Sequence, residues 1–264
     1  FYWFVSRSDC HAQPHQTQHM SRYQFSDHRN HWKDSDVEAH WDRVADIYVA
    51  ENNKVKAAHD QRFHESMLHL DVAKATRVLN ITSRDAEAED FNRKHNPVCA
   101  ITHAEISSGL MAEAARLRPG ITQVKLNTYS NLPFSDLSFE RVLSLETLEH
   151  AADPLAFLNE LHRVSTAKAR LVLSCPPATS EIPYQVFTAL FGGHGEGPHR
   201  FPASEEVKVM FRKSGWKLLL HKGTVLFPVG PPFFREFGER LINAFQGSIL
   251  AELGIRQFFV CEKY

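Results

Sequence analysis

The sequence predicts an α/β domain in which a mostly parallel sheet is covered by helices on both faces. Three observations lead there. First, short apolar runs of strand type at Arg77–Ile81, Val98–Thr102, Phe139–Leu145 and Leu171–Ser174 alternate with stretches of helical period. Second, the intervening helices carry their own start signals. Ser107 stands ready to cap a helix over 107–116, and Asp153-Pro154 opens one over 154–164, with proline in the first turn where its missing N–H costs nothing. Third, a chain of 264 residues with 43% hydrophobic content can bury one full core.

Taken in order, residues 1–36 are polar, His-rich and without period, and read as an N-terminal extension to a domain over 37–264. His11, His15 and His19 repeat every four residues, a spacing that lines up metal ligands on a helix, but Pro14 and the Gln-rich surroundings favour a flexible segment. From Val37 the pattern changes. Trp41, Val44, Ala45 and Tyr48 recur at helical spacing with Asp36 as a cap, and a second helix over 54–70 leads into the first strand. After the strand at 171–174, residues 181–191 are apolar and aromatic, and the glycine-rich run 192–197 serves either as a lid hinge or as a plain surface loop. A helix over 204–214 and strands over 216–221 and 256–261 complete the pattern. Between those strands, residues 227–254 are too long for a hairpin turn and contain Phe233, Phe234, Phe237, Leu241, Ile242 and Phe245. They are expected to form an inserted helical segment that caps the substrate side, or makes a homodimer or protein-partner contact.

Composition narrows the function classes. With 30 Lys+Arg against 31 Asp+Glu and no sustained basic block, no general nucleic-acid-binding face is expected, since such affinity rests on neutralising phosphates. No apolar run approaches the roughly 20 residues of a transmembrane helix. The four cysteines, Cys10, Cys99, Cys175 and Cys261, are scattered, and three lie in strand segments as small apolar residues; a reducing, cytoplasmic compartment is the simpler expectation.

The most specific stretch is 132–177. Leu132-Pro133-Phe134, the strand 139–145, the turn Glu146-Thr147-Leu148-Glu149-His150, the helix start Asp153-Pro154 and the strand 171–174 follow one another. In that order they resemble the second half of a class I S-adenosylmethionine-dependent methyltransferase of the methyltransferase type 11 kind. The resemblance implies a Rossmann-like, seven-stranded sheet with an antiparallel last strand, and S-adenosylmethionine as cofactor. It also places a cofactor site on Asn80, Thr82, Arg84, Ala86, Glu105, Ile106, Thr128, Tyr129 and Leu145. Thr82, Arg84 and Ala86 stand where the family has three glycines, whose role is a positive φ and a close backbone approach to the ligand. Asn80 replaces an acidic residue, Thr128 an Asp that meets the adenine amino group, and Lys168-Ala169 a Gly-Gly turn. Glu105 keeps the carboxylate that the family uses for the ribose hydroxyls.

Glu146, Glu149 and His150 share one face of a helical turn at i, i+3 and i+4, so two carboxylates and an imidazole can converge on one ion. The string resembles the metal signature of some O-methyltransferases, with His199 as a fourth ligand from the lid side. A Mg2+ there would acidify and orient the acceptor hydroxyl. Without metal, His150 is the candidate general base and Glu146 the residue orienting the methionine moiety, or the turn is structural. Three functions follow: an O-methyltransferase acting on a small molecule, a sugar or a lipid-linked acceptor; a cofactor-free binding or assembly subunit, favoured by the bulk and charge of Arg84; or an enzyme that shares the fold but has another ligand or chemistry, in which Arg84 binds an anion.

Overall fold

A computed structural model describes residues 32–54, 56–182, 185, 197–226, 232–244 and 252–264. The segment 1–31 with its three spaced histidines, the glycine run 192–196 and the 245–251 part of the insertion lie outside the described residues.

Seven strands form one sheet in the order β3-β2-β1-β4-β5-β7-β6. They are β1 (Arg77–Ile81), β2 (Ala100–Glu105), β3 (Gln123–Lys125), β4 (Phe139–Leu145), β5 (Ser165–Cys175), β6 (Trp216–Thr224) and β7 (Arg256–Lys263). The first five are parallel to their sheet neighbours among themselves, whereas β7 runs antiparallel to both β5 and β6. This is the sheet expected from the resemblance. Side chains along each strand alternate between two cores, as the pleat requires. Leu79, Ile81, Val142, Leu171, Leu173, Phe259 and Cys261 face one core, and Val78, Leu143, Leu145, Val172, Phe258 and Val260 the other.

The first core is covered by α1 (Asp34–Lys54), α4 (Ser108–Leu117), α5 (Pro154–Val164) and α6 (Ser204–Lys213), the second by α2 (Lys56–Leu70) and α3 (Ala88–His95). Another of the described helices, α7 (Pro232–Ala244), lies in the insertion and leaves Phe233, Phe234 and Phe237 exposed. Ser107 and Asp153 cap α4 and α5 as expected, accepting the Leu110 and Ala156 N–H groups at 3.1 and 2.9 Å. Helix α1 starts at Asp34, two residues before the expected cap, and Asp36 instead reaches back to accept the Lys33 N–H at 2.8 Å. Strand β2 starts later than 98 and runs on to Glu105, because Val98 is exposed and Ala100 is the first residue in register with β1. Among the described residues no helix is long and apolar enough to cross a membrane, and the cysteines 99, 175 and 261 are free and buried.

Candidate cofactor site

Parallel α/β sheets bind ligands outside the carboxyl ends of their strands, where the strand order reverses. Here that point lies between β1 and β4, and the turn leaving β1 is its floor. Thr82, Arg84 and Ala86 have φ of 55°, 53° and 61°, and Lys168 has 59°. Of the positions at which the resemblance expects a glycine, all but Ala169 therefore keep the left-handed backbone, although a side chain is present. A non-glycine residue in that region costs about 1–2 kcal/mol, so the turn must be held by its surroundings. Ser83 donates its N–H to the Ala104 carbonyl at 2.9 Å, and Gln123 Nε2 donates to Ser83 Oγ and to the Arg84 carbonyl, both at 2.7 Å. Glu105 Oε2 accepts the Arg84 N–H at 2.7 Å, while its Oε1 accepts those of Ile106 and Ser107 at 2.8 and 3.0 Å.

Glu105 is thus used on both oxygens by the main chain around it and is 0% exposed. Thr82, Arg84, Ala86, Ile106, Tyr129 and Leu145 are buried as well, and Thr128 is half-buried. What covers them is α1. Trp41 lies with its ring 3.7 Å beneath the Arg84 guanidinium, a cation–π contact. Asp34 Oδ2 accepts the Tyr129 N–H at 2.7 Å and the Thr128 hydroxyl at 2.6 Å, and Oδ1 accepts the Ala152 N–H at 2.8 Å. Asp42 accepts the Ser107 hydroxyl at 2.7 Å and the Gly109 N–H at 2.9 Å, at the start of α4. Two glycines permit this approach: a Cβ on Gly109 would stand 2.9 Å from Ala45 Cβ, and one on Gly197 2.5 Å from the His40 ring. Asn80, in place of an acidic residue, donates to His103 Nδ1 at 3.1 Å, and His103 Nε2 meets Glu89 at 3.2 Å.

The opposite wall is closed too. His150 is buried and donates from Nδ1 to the Pro198 carbonyl at 2.9 Å. Burial, with Arg84 and His199 nearby, holds its imidazole well below the usual histidine range. Trp32 Nε1 donates to the His150 carbonyl at 2.8 Å, and the Arg200 N–H donates to the Glu149 carbonyl at 3.1 Å, so the 197–201 strap and the start of α1 seal the turn together. Glu146, also at positive φ, accepts Ser174 Oγ at 2.6 Å and Arg256 Nε at 2.7 Å.

The expected metal set of Glu146, Glu149, His150 and His199 is not brought together. The His150 and His199 rings are 6.2 Å apart, His199 Nδ1 donates to the Gly197 carbonyl at 2.8 Å, and Arg256 already supplies the cation at Glu146. Among the described residues, only His59, Asp60 and Glu87 bring three ligand atoms within 4.8 Å, beside a polar cavity of about 310 Å³. Lys56 lies 2.9 Å from Asp60 and 3.6 Å from Glu87, and Arg62 contacts His59 Nε2, which leaves the proton on the nitrogen facing the carboxylates.

Residues 82–173 match the family model described as a methyltransferase domain. The match covers the middle of the chain, from the turn after β1 to β5, and the fold is that of class I methyltransferases. It is 29% identical over 163 residues to the demethylmenaquinone methyltransferase of Beutenbergia cavernae, a match that covers 60% of this chain and spans 63% of that relative's length. In fold it is similar to a Haloferax volcanii methyltransferase solved in complex with the Trm112 methyltransferase activator, with TM-score 0.58, 16% identity, and coverage of 84% of this chain and 97% of that one. It is likewise similar to the [4+2]-cyclase SpnF, at TM-score 0.62, 15% identity, and 88% and 96% coverage. A third such fold is that of an S-adenosylmethionine-dependent methyltransferase from Thermotoga maritima, at 0.59, 16%, and 86% and 99%. The family uses S-adenosylmethionine. Of the groups expected to meet that cofactor, Asn80, Glu105, the Thr128 hydroxyl and the Tyr129 N–H are already engaged by the chain, and the Arg84–Trp41 pair stands over the turn, so these residues as arranged do not fit it.

Trp41, Asp34, Asp42, His103 and Arg256 were not legible as site residues. Trp41 was visible only as part of an apolar helical stripe. Arg256 carries no local signal at all, since its partner Glu146 is 110 positions away.

Proposed function

We propose that this chain is a cofactor-free member of the methyltransferase family that works as a binding or assembly subunit, its first helix standing where the family places a nucleoside. The observation that carries the reading is the Asp34 carboxylate on the Tyr129 N–H, joined to a Glu105 whose two oxygens serve the turn itself. Hydrogen-bonding groups that await a nucleoside stand unpaired in the cleft, whereas here the Glu105 carboxylate and the Tyr129 N–H are paired within the chain. The exposed Phe233, Phe234 and Phe237 at i, i+1 and i+4 of α7 supply an apolar face suited to a protein partner, and the Haloferax neighbour, itself in complex with an activator protein, is consistent with such a role for the fold.

Calorimetric titration with S-adenosylhomocysteine tests the reading. No saturation below millimolar concentration is expected, with or without magnesium, and a micromolar Kd would overturn it. One observation favours a second reading. The Beutenbergia relative acts on a demethylmenaquinone, and methyl transfer to a lipid-linked ring acceptor would follow if α1 left the crevice. The same titration separates the two readings.

A further inference from the structure

We infer that Arg84 and Arg256 form a binding site for a compact oxyanion, a phosphate or carboxylate group carried by a small molecule, at the carboxyl edge of β1, β4 and β5. Arg84 comes from the turn after β1, and Arg256 is the first residue of β7. Both converge on Glu146 at the end of β4. Arg84 Nη2 lies 3.5 Å from the Glu146 main-chain oxygen, and Arg256 Nε donates to its carboxylate at 2.7 Å. The two arginines are only 8% and 4% exposed, and Nη1 of each is buried without an acceptor. Buried guanidinium N–H groups normally find partners, and two orphans on neighbouring arginines mark a place where an acceptor belongs.

The charge balance points the same way. The Glu146 carboxylate pairs with Arg256 and accepts the Ser174 hydroxyl, whereas Arg84 reaches only the Glu146 main-chain oxygen, which leaves positive charge in excess at its guanidinium. That excess is felt nearby. Beyond the effect of burial, Arg84 lowers the basicity of His150, and Arg62 with Arg256 lowers that of His59. The two unpaired Nη1 groups are donors, which call for an acceptor, and an anionic one meets their charge better than a neutral hydroxyl. The planar fork of a guanidinium matches the paired oxygens of a carboxylate or phosphate. The location, at the reversal of strand order, is where this architecture places its ligands.

The inference stands apart from the proposed function: S-adenosylhomocysteine binding would sink that reading, and indifference to oxyanions would sink this one. The experiment is thermal unfolding of the intact protein in 0–50 mM inorganic phosphate against sodium chloride of matched ionic strength. Phosphate is expected to raise Tm saturably, on the order of 5 °C at hundredfold excess over Kd. Acetate in a parallel series distinguishes a carboxylate source from a phosphate one. Arg84→Gly, which suits the left-handed backbone and so preserves the turn, should abolish the saturable rise. Arg256→Lys keeps the charge on Glu146 but loses the fork, and should weaken the apparent affinity about tenfold. A Tm that follows ionic strength alone for both anions, or a saturable rise that survives Arg84→Gly, would overturn the assignment.

Discussion

Replacing Asp34 by Ala probes whether α1 truly occupies the crevice. The carboxylate accepts two main-chain N–H groups, Tyr129 at 2.7 Å and Ala152 at 2.8 Å, and one hydroxyl, Thr128 at 2.6 Å. The hydroxyl counts for little, because Thr128 Oγ1 also lies 3.0 Å from Ser130 Oγ. The two N–H groups have no such alternative. Hydrogen bonds to an ionised acceptor contribute about 1.5–3 kcal/mol each, and the deletion leaves both donors unpaired beneath a helix. Taking the lower figure twice gives a loss of about 3 kcal/mol, or about 6–12 °C in Tm for a domain of this size. Urea unfolding at pH 7 measures the loss, and amide hydrogen exchange at Tyr129 and Ala152 locates it. A loss below about 1 kcal/mol, with both amides already exchanging freely in the parent protein, would mean that α1 is not docked there and that the crevice is open.

Three further outcomes are expected. Lys168 is exposed at φ 59°, so Lys168→Gly relieves about 1–2 kcal/mol of backbone strain against about 0.5–1 kcal/mol of added chain entropy. Net stabilisation of roughly 0.5–1 kcal/mol by urea titration is expected, and a loss would contradict the left-handed assignment. Gly109→Val should drive α1 from α4, since even a Cβ meets Ala45 at 2.9 Å and the Asp42 carbonyl at 3.2 Å; a cost of about 1–3 kcal/mol and a red-shifted tryptophan emission are expected, and an unchanged spectrum would refute the close approach. His59 and His150 are buried, and burial, ahead of neighbouring cations, holds both below the ordinary histidine pKa of about 6.5. Below that pH the unfolded chain takes up protons that the folded one refuses, so stability is complete above pH 6.5 and is lost as pH falls. Two such groups give a decline of about 2 kcal/mol between pH 6 and 5, and a flat profile would rule out neutral burial.

The fold was legible because its signals are local. Short apolar runs, the Ser107 cap and the Asp-Pro start mark β4, α4 and α5, and the expected bounds of β4 and α5 match to the residue. Strand β3 carried no such signal. It is three residues long, with only Gln123 buried, and pairing to β2 defines it. The cofactor turn was legible in register but not in occupancy. The family resemblance implied that Thr82, Arg84, Ala86 and Glu105 lie in one turn and its neighbouring strand, and the structure places them so. Nothing local in the sequence says that Asp34 meets Tyr129, 95 residues on, or that Trp41 stacks on Arg84. Such contacts depend on where a helix docks, and helical period gives the buried face without giving its partner.

The glycine-less turn also explains why the occupant can be the chain itself. Three left-handed side-chain-bearing residues store about 3–6 kcal/mol of strain in total, present in every folded molecule. In a turn organised by its ligand, part of that cost would fall on binding and weaken affinity. Here Glu105, Gln123 and the Ala104 carbonyl fix the turn in the absence of any ligand, through bonds wholly within the fold. Once the carboxylate is committed to the turn, the remaining outward donors, Tyr129 N–H foremost, still need acceptors, because they lie in a crevice that α1 shields from water. Asp34 meets that need at the cost of one carboxylate in a helix already held by Trp41, Val44 and Ala45. Restoring glycine at Arg84 alone would therefore relieve strain and remove the cation–π contact, but it would not vacate the crevice: the helix would still be anchored by Asp34 and Asp42 at its two polar contacts.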